Sequence, residues 1–280
     1  MYHHLFPQRL VQAVKRRPVL HRAARRARVA VGGLLPPREF PGIPGRIHPN
    51  DFMFDHASPE EVASYAERAG NVVANIEASL AAGGRSFEDV ERWLDFGCGY
   101  GRVTRFLVER VPPDRVWASD VIHEGVEFCR SEFGVHPLYS QPDLEALELE
   151  PFDFVYAISV LSHLNERNSR ALLRLLGDSL RPDGIAMFTT HGRRSLENPA
   201  LYGAEFGERR EEIAGAVAAR GMTFVPYAFT GGDDYGMAWH AREWVEQTVA
   251  ELHGDAVRLV RFVPHGLDDH QDVFAFQRAG

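Results

Sequence analysis

The sequence predicts an α/β fold in which a mostly parallel sheet ends in an antiparallel hairpin. Three observations lead to this class. Strand-like and helix-like segments alternate between residues 91 and 190, a glycine-rich turn follows the first strand, and two strand-like segments with a short connection close the sequence. Alternating strands and helices imply parallel strands joined by right-handed crossovers. A short connection can join only antiparallel neighbours.

Residues 1–50 are predicted to form a basic arm followed by a Pro/Gly linker. Residues 1–31 carry eight lysines and arginines, no acid and several interleaved apolar side chains. Such an arm is either solvated, packed on the acidic remainder, or in weak peripheral contact with an anionic membrane. Ser58-Pro-Glu-Glu then marks a helix start. We therefore expect residues 51–89 to be a helical segment that covers the site.

The remaining elements are assigned in chain order. Strands are predicted at about 91–95, 115–119, 135–140, 152–158 and 184–190, and helices at about 102–110, 123–133 and 166–180. Two final strands, at 257–263 and 272–277, flank the connection 264–271. Residues 193–245 interrupt this pattern with a helix, an extended piece and a glycine-rich turn, and we predict that they form a lid over the substrate.

Composition restricts the function classes. No window of 18 uninterrupted apolar residues occurs, and no signal peptide is recognisable at the N-terminus. Only two cysteines are present, which fits a reduced, cytoplasmic setting. The chain has 31 basic and 39 acidic residues, and all of the acidic residues lie beyond residue 31. An acidic body argues against nucleic acid as a partner.

The glycine turn is the most specific motif. It reads Trp93-Leu-Asp-Phe-Gly-Cys-Gly-Tyr-Gly101, an acid followed by three glycines at every second position. The dinucleotide fingerprint has a gap of two before its last glycine, so the spacing differs. The motif resembles that of class I S-adenosylmethionine (SAM) methyltransferases, and the resemblance covers about residues 90–280. It implies a doubly wound, Rossmann-like sheet of seven strands, with SAM as the cofactor.

The resemblance also assigns roles at the strand ends. Asp95 would hold the methionine end of SAM, and Asp120, which ends the second strand, would accept the ribose hydroxyls. Val121 would pack on the adenine, with Gln141 and Asp143 as alternative partners of its amine. The backbone at Gly97, Cys98, Gly99 and Gly101 would approach the cofactor, and the turn at Ala157, Ile158 and Ser159 would run beneath the methionine. The alternative interpretation makes the aspartates helix caps and the glycines ordinary turns.

The carboxyl ends of the strands also bring together candidates for catalysis. His163 follows the fourth strand, His191 follows the fifth, and His270 and Asp272 lie at the terminal hairpin. Histidine suits removal of a proton from a hydroxyl because its pKa lies near neutrality. We expect His191 to be the base, with His270 or Asp272 orienting it or contacting the acceptor. Alternatively the histidines only satisfy buried backbone groups, and His163 is an ordinary helix-start residue.

The acceptor is predicted less directly. The segments around His163, His191 and His270 resemble a bacterial methyltransferase subgroup associated with glycan and secondary-metabolite biosynthesis, which implies O-methylation of a small molecule, sugar or glycolipid. Aromatic and apolar side chains of the lid would either contact it or simply cap the sheet, namely Tyr202, Phe206, Tyr227, Phe229, Tyr235, Met237 and Trp239. No spacing of acids and histidines indicates a metal. N-methylation of a small amine and a non-catalytic, SAM-binding scaffold are the alternatives.

Overall fold

The computed structural model of this chain describes residues 27, 29–54, 58–197, 204–227 and 234–280. Most of the basic arm therefore lies outside the described residues. The helices are α1 (Pro59–Ala82), α2 (Thr104–Leu107), α3 (His123–Phe133), α4 (Glu166–Asp178), α5 (Arg193–Glu197), α6 (Ala204–Gly207), α7 (Arg210–Arg220) and α8 (Arg242–His253). The strands are β1 (Trp93–Phe96), β2 (Val116–Asp120), β3 (His136–Tyr139), β4 (Phe152–Ala157), β5 (Leu180–His191), β6 (Met222–Pro226), β7 (Gly236–His240), β8 (Val257–Leu267) and β9 (Gln271–Arg278).

Seven of these strands form one sheet in the order β3-β2-β1-β4-β5-β9-β8. The first five strands of the chain are parallel, and β9 is antiparallel to both of its neighbours. This confirms the predicted doubly wound sheet with its terminal hairpin. The strand order reverses between β1 and β4, and ligands of such sheets bind beyond the carboxyl ends of the strands at that point.

Both faces of the sheet are covered, so its central strands are apolar on both sides. On β1, Trp93 packs with the α1 and α3 side, whereas Leu94 packs with the α4 and α8 side. All four residues of β1 and all six of β4 are buried. The rigid centre of the sheet therefore carries the strand ends on which the site is built.

Several predicted boundaries differ from the structure. The helix after the glycine turn begins at Thr104 rather than at residue 102 and has only four residues, because the chain is still turning through Gly101 at a positive φ of 77°. β8 continues to Leu267, past the predicted end at residue 263, with a register shift between Val263 and Leu267. The predicted lid contains its own two-stranded antiparallel sheet of β6 and β7.

The segment before α1 is fastened to the glycine turn by Arg105. This fully buried side chain donates hydrogen bonds to four carbonyl oxygens, those of Pro44 and Arg46 in the segment and those of Tyr100 and Gly101 in the turn. His48 stacks on Tyr100 with ring centroids 4.7 Å apart. Residues 43–54 are thereby held beside the carboxyl edge of the sheet.

Among the described residues, no helix combines the length and the apolarity that crossing a membrane requires.

Candidate functional site

The glycine turn between β1 and α2 leaves open space at one position. Gly97, Gly99 and Gly101 all have positive φ, which favours glycine. A Cβ on Gly97 would lie 2.4 Å from Val160, and one on Gly101 would lie 2.6 Å from Phe133. A Cβ on Gly99 would meet nothing within 4 Å. Packing therefore explains Gly97 and Gly101, whereas the Cα of Gly99 is the one of the three that borders open space.

The amide groups of this turn are largely used within the protein. The N–H groups of Gly97 and Cys98 both donate to the carbonyl of Ser119, and that of Gly101 donates to the carbonyl of Cys98. The Cys98 side chain is buried in the core. The turn can therefore present carbonyl oxygens and open space to a ligand, but few of its N–H donors.

Asp120, at the end of β2, closes onto the turn. Its Oδ2 accepts a hydrogen bond from Gly99 N–H at 2.8 Å, and its Oδ1 accepts one from Ile122 N–H at 2.8 Å. Burial raises the pKa of this carboxyl, although these backbone donors oppose the rise. Each oxygen keeps a second lone pair for a hydroxyl donor. Val121 beside it is 53% exposed, which leaves an apolar surface at the mouth of the site.

Asp95 is more deeply buried than Asp120. Its Oδ2 accepts a hydrogen bond from the Thr104 hydroxyl at 2.6 Å, and only 3% of the residue is exposed. Burial raises the pKa of Asp95 to about 6, although the hydrogen bond from Thr104 and the nearby charge of Arg102 oppose the rise. A carboxylate kept in such surroundings is a candidate for function because its ionised form is costly.

The two candidates after β3 are both exposed. Asp143 caps the short helical turn that follows it by accepting from Glu145 N–H, and its Oδ1 lies 3.7 Å from Arg167. Gln141 donates to the carbonyl of Asp143. The structure therefore gives both side chains local partners, and the choice between them as adenine contacts stays a prediction.

The end of β4 is strained. Ser159 has a φ of 59°, a conformation that side-chain-bearing residues rarely adopt outside functional sites and turns. Its N–H donates to the Thr189 hydroxyl, and its hydroxyl pairs with the buried amide side chain of Gln271 at 2.9 Å. Ala157 before it is fully buried in the sheet, whereas Ile158 is only partly buried. Gln271 was not among the predicted residues, although it lies between the predicted His270 and Asp272.

His163 and His191 both contact the lid strand β7. Nδ1 of His163 lies 2.8 Å from the carbonyl oxygen of Gly236, and Nδ1 of His191 lies 3.2 Å from that of Ala238. Because a carbonyl oxygen can only accept, each Nδ1 carries the proton and each Nε2 is the acceptor atom. These contacts orient the two rings from the lid.

Burial lowers the pKa of His163 and lowers that of His191 well below 6.5, with the neighbouring His163 and His270 adding to the second shift. Both rings are therefore neutral near pH 7. The His191 centroid lies 6.2 Å from those of His163 and His270. The structure thus brings the three predicted histidines together.

Asp272 and His270, which were predicted to orient His191 or to contact the acceptor, each have a partner in the β8–β9 hairpin. The Oδ1 of Asp272 accepts from the His265 N–H at 2.7 Å, while its carboxylate packs so closely on Gly192 that no Cβ would fit there. Nδ1 of His270 pairs with the carbonyl of Asp268 at 3.1 Å. Both side chains support the hairpin between β8 and β9. The carbonyl of Ala238 also orients His191, and the roles of Asp272 and His270 stay predictions.

The predicted acceptor contacts in the lid divide into two groups. Phe206, Met237 and Trp239 are buried in a small core of the lid itself, because a two-stranded sheet needs an apolar cluster beneath it. Tyr227 and Tyr235 remain partly exposed and contact the ring of His163. Tyr202 and Phe229 lie outside the described residues. Among the described residues, Tyr227 and Tyr235 are the predicted acceptor contacts that stay partly exposed.

No group of three or more histidine, cysteine or carboxylate side chains is placed to hold a metal ion within the described ranges.

A protein-family model described as a methyltransferase domain matches residues 62–241 of this chain, which is more than half of it. The match begins within α1 and extends through β7. It therefore includes the glycine turn, Asp120, His163, His191 and most of the lid.

Two solved structures share the fold. A SAM-dependent methyltransferase from Clostridium acetobutylicum aligns with a TM-score of 0.50 at 14% identity, covering 77% of this chain and 92% of that one. Magnesium protoporphyrin IX methyltransferase from Synechocystis, solved with bound S-adenosylhomocysteine (SAH), aligns with a TM-score of 0.51 at 16% identity, covering 80% and 90%.

Relatives with curated names are malonyl-[acyl-carrier protein] O-methyltransferases. The protein from Acetivibrio thermocellus is 31% identical over 105 residues, which is 37% of this chain and 36% of that protein. The protein from Bacillus cereus is 30% identical over 123 residues, 43% of this chain and 44% of that protein. The chain thus aligns with less than half the length of these relatives.

Proposed function

Because this chain belongs to the SAM-dependent methyltransferase family, we propose that it transfers a methyl group from SAM to a hydroxyl of a small molecule, sugar or glycolipid. The observation that carries the proposal is the neutral, oriented His191 at the end of β5, close to the carboxyl edge of the sheet. The relatives' O-methyltransferase names favour oxygen over nitrogen as the acceptor atom.

The chemistry of the side chains at β1, β2 and β4 fits SAM. The carboxylate of Asp120 suits the two ribose hydroxyls, and the buried carboxylate of Asp95 suits a positively charged amino acid group nearby. Gly99 leaves space beside both, and Val121 offers an apolar contact for the base. When bound, SAM supplies the methyl group on a positively charged sulfur, which is a good leaving group.

His191 is the proposed base. Since its Nδ1 donates to Ala238, the lone pair of Nε2 is the group that takes the acceptor's proton. The carbonyl of Ala238 therefore orients the imidazole of His191. Tyr227, Tyr235 and the strained Ser159 are proposed to position the acceptor, because they lie around the same histidine cluster or at the adjoining strand end.

A neutral acceptor fits this end of the site better than a carboxylate. His163 and His191 are uncharged near neutral pH, and Arg194, at the start of the lid, is already paired with Asp269 at 2.9 Å. A carboxylate beside these described residues would lose its hydration without gaining an unpaired cation. We therefore propose that the acceptor differs from that named for the relatives.

The test is methyl transfer from isotope-labelled SAM to a panel of acceptors that share one scaffold. The panel contains a sugar and a phenol with free hydroxyls, matched amines, and malonyl thioesters with a free carboxylate. Transfer to the hydroxyl members supports the proposal, whereas transfer only to the amines or only to the malonyl thioesters contradicts it. No transfer to any member, with SAH bound normally, would favour the scaffold alternative.

Asp120→Asn is expected to raise the dissociation constant for SAH about tenfold, because a charged acceptor for hydroxyl donors is removed while the size is kept. Calorimetric titration with SAH measures this. Asp143→Asn is the comparison variant, and it decides at the same time whether that carboxylate contributes. Wild-type affinity in Asp120→Asn would remove the ribose assignment.

Gly97→Ala is expected mainly to lower stability, whereas Gly99→Ala is expected to weaken SAH binding as well. Gly97→Ala combines a left-handed backbone with an overlap on Val160, so we expect it to lower the unfolding free energy by about 2–4 kcal/mol. Gly99→Ala has no overlap and is expected to cost about 1–2 kcal/mol while weakening SAH binding. Urea unfolding and calorimetry measure the two quantities.

The matched control for Gly99→Ala is Gly84→Ala. Gly84 also has a positive φ and open space around its Cβ, but it lies at the end of α1, away from the carboxyl edge. It should show the backbone cost without any loss of SAH affinity. Equal affinities in the two variants would mean that the open side of Gly99 does not face the cofactor.

A further inference from the structure

The amide side chain of Gln271 is nearly fully buried at the start of β9, yet the protein uses only part of it. The residue is 5% exposed. Among the described residues its side chain has one hydrogen-bonding partner, the Ser159 hydroxyl, whose Oγ lies 2.9 Å from Nε2 and 3.2 Å from Oε1. An amide has two N–H donors and two lone pairs on its oxygen, so one hydroxyl meets at most half of this capacity. Burying the other half costs free energy unless a ligand supplies the partners.

Gln277, on the same strand, is a buried glutamine whose amide is fully engaged by the protein. It is 3% exposed and lies opposite the start of β5, away from the carboxyl edge of the sheet. Its Nε2 donates to the carbonyls of Gly83 at 3.0 Å and Asp183 at 3.3 Å, and its Oε1 accepts from Arg258 at 3.1 Å. Such pairing is usual for a buried polar group. Gln271 lacks it, although the two glutamines are buried to a similar extent.

Gln271 lies directly beside the proposed base. In the antiparallel pairing of β5 with β9, His191 and Gln271 are direct partners. Side chains of opposed residues lie on the same face of a sheet, with Cβ atoms roughly 4.5–5.5 Å apart. Ser159 joins them from the end of β4, because its N–H donates at 2.8 Å to the hydroxyl of Thr189, two residues before His191. The amide, the hydroxyl and the imidazole therefore lie together at the carboxyl edge of the sheet.

We propose that the Gln271 amide, together with the Ser159 hydroxyl, binds a second hydroxyl of the acceptor next to the one that receives the methyl group. This inference rests on the proposed O-methyl transfer and narrows its acceptor class to vicinal diols, which carry hydroxyls on neighbouring carbon atoms. A hydroxyl both donates and accepts, and the amide matches it with its oxygen and its N–H group. Because the amide and the imidazole of His191 are neighbours, the two oxygens of one diol reach both. Gln271 binds the acceptor and takes no part in proton transfer.

The test compares kcat/KM for catechol, guaiacol and phenol, which share one ring but offer a second hydroxyl, a methoxy oxygen or neither; a sugar diol and its deoxy analogue repeat the comparison. The wild-type protein is expected to prefer catechol over phenol at least about tenfold, with guaiacol between them. Gln271→Met keeps the size of the side chain without its hydrogen bonds, so this preference should fall about tenfold while SAH affinity stays within about twofold. Ser159→Ala should lower the preference less. Comparing variants cancels the intrinsic reactivity of each acceptor.

Gln277→Met is the matched control, because it removes a glutamine of similar burial from the same strand. It should lower the midpoint of thermal unfolding, since three hydrogen bonds are lost, and keep the wild-type preference for the diol. Gln271→Met should unfold at a higher midpoint than Gln277→Met. A wild-type protein that does not prefer the diol, an unchanged preference in both Gln271→Met and Ser159→Ala, or an equal loss in Gln277→Met would each overturn the inference. Transfer to none of the hydroxyl compounds would overturn the proposed function instead.

Discussion

Replacement of His191 by glutamine is expected to lower kcat by about two to four orders of magnitude, the usual contribution of a general base. Glutamine keeps a donor for the carbonyl of Ala238 but has no basic nitrogen. The affinity for SAH should stay within about twofold, because His191 is proposed to act on the acceptor and not to bind the cofactor. Initial rates at saturating SAM and calorimetry with SAH measure the two effects.

The pH profile of kcat independently tests whether His191 is the general base. Since burial lowers the pKa of His191 well below 6.5, its neutral form persists as the pH falls. The acid limb of the wild-type profile is therefore expected below pH 6.5, and it should be absent from the residual activity of His191→Gln. An acid limb near that of an exposed histidine would contradict the assignment.

His253→Gln is a suitable control for the general effect of replacing a buried histidine. Its imidazole is 5% exposed and pairs with one backbone carbonyl, that of Leu173 at 3.3 Å, but it lies where α8 packs on α4. We expect some loss of stability and an unchanged kcat. If His253→Gln and His191→Gln lower kcat equally, the loss reflects the fold and not a base.

Replacement of Asp95 by asparagine is expected to weaken SAH binding at least tenfold and yet stabilise the folded protein at neutral pH. The folded pKa of about 6 lies above the ordinary value of 3.8, so the ionised form is unfavourable in the folded state by about 3 kcal/mol. This cost is absent below pH 3.8, grows as the pH rises towards 6 and is complete above it. Asparagine avoids the cost.

Urea unfolding of both proteins at about pH 4 and about pH 8 measures this linkage. The stability advantage of Asp95→Asn should be small at the lower pH and about 1–3 kcal/mol at the higher one. An advantage that does not change with pH would show that Asp95 is not the carboxyl responsible.

Asp153→Asn is the control for the loss of a buried carboxylate. Asp153 lies at the opposite end of the sheet, where it accepts from the N–H groups of Glu91 and Arg92 and pairs with Arg181. Its replacement should reduce stability and leave SAH affinity unchanged. A matching loss of affinity would mean that Asp95 acts only through the fold.

The extent of sequence-based prediction differs between the two halves of the site. The cofactor half was predictable because its residues follow local rules: an acid at the end of β1, glycines in the turn and a second acid at the end of β2. For the proposed acceptor half, the sequence indicated which residue types take part but not which of them face the acceptor. Phe206, Met237 and Trp239 of the lid were predicted either to contact the acceptor or to have a structural role, and in the structure they fill a small core beneath β6 and β7.

The fold class, the family and the cofactor could be predicted from the sequence, because strand alternation and the Asp95–Gly101 motif are local patterns with few structural solutions. Which side-chain atoms are left to contact a ligand depends on the tertiary structure. Ala238 sets the tautomer of His191 from 47 residues away, and Gln271 pairs with Ser159 across 112 residues. Such contacts depend on how distant segments pack, and local spacing carries no information about that.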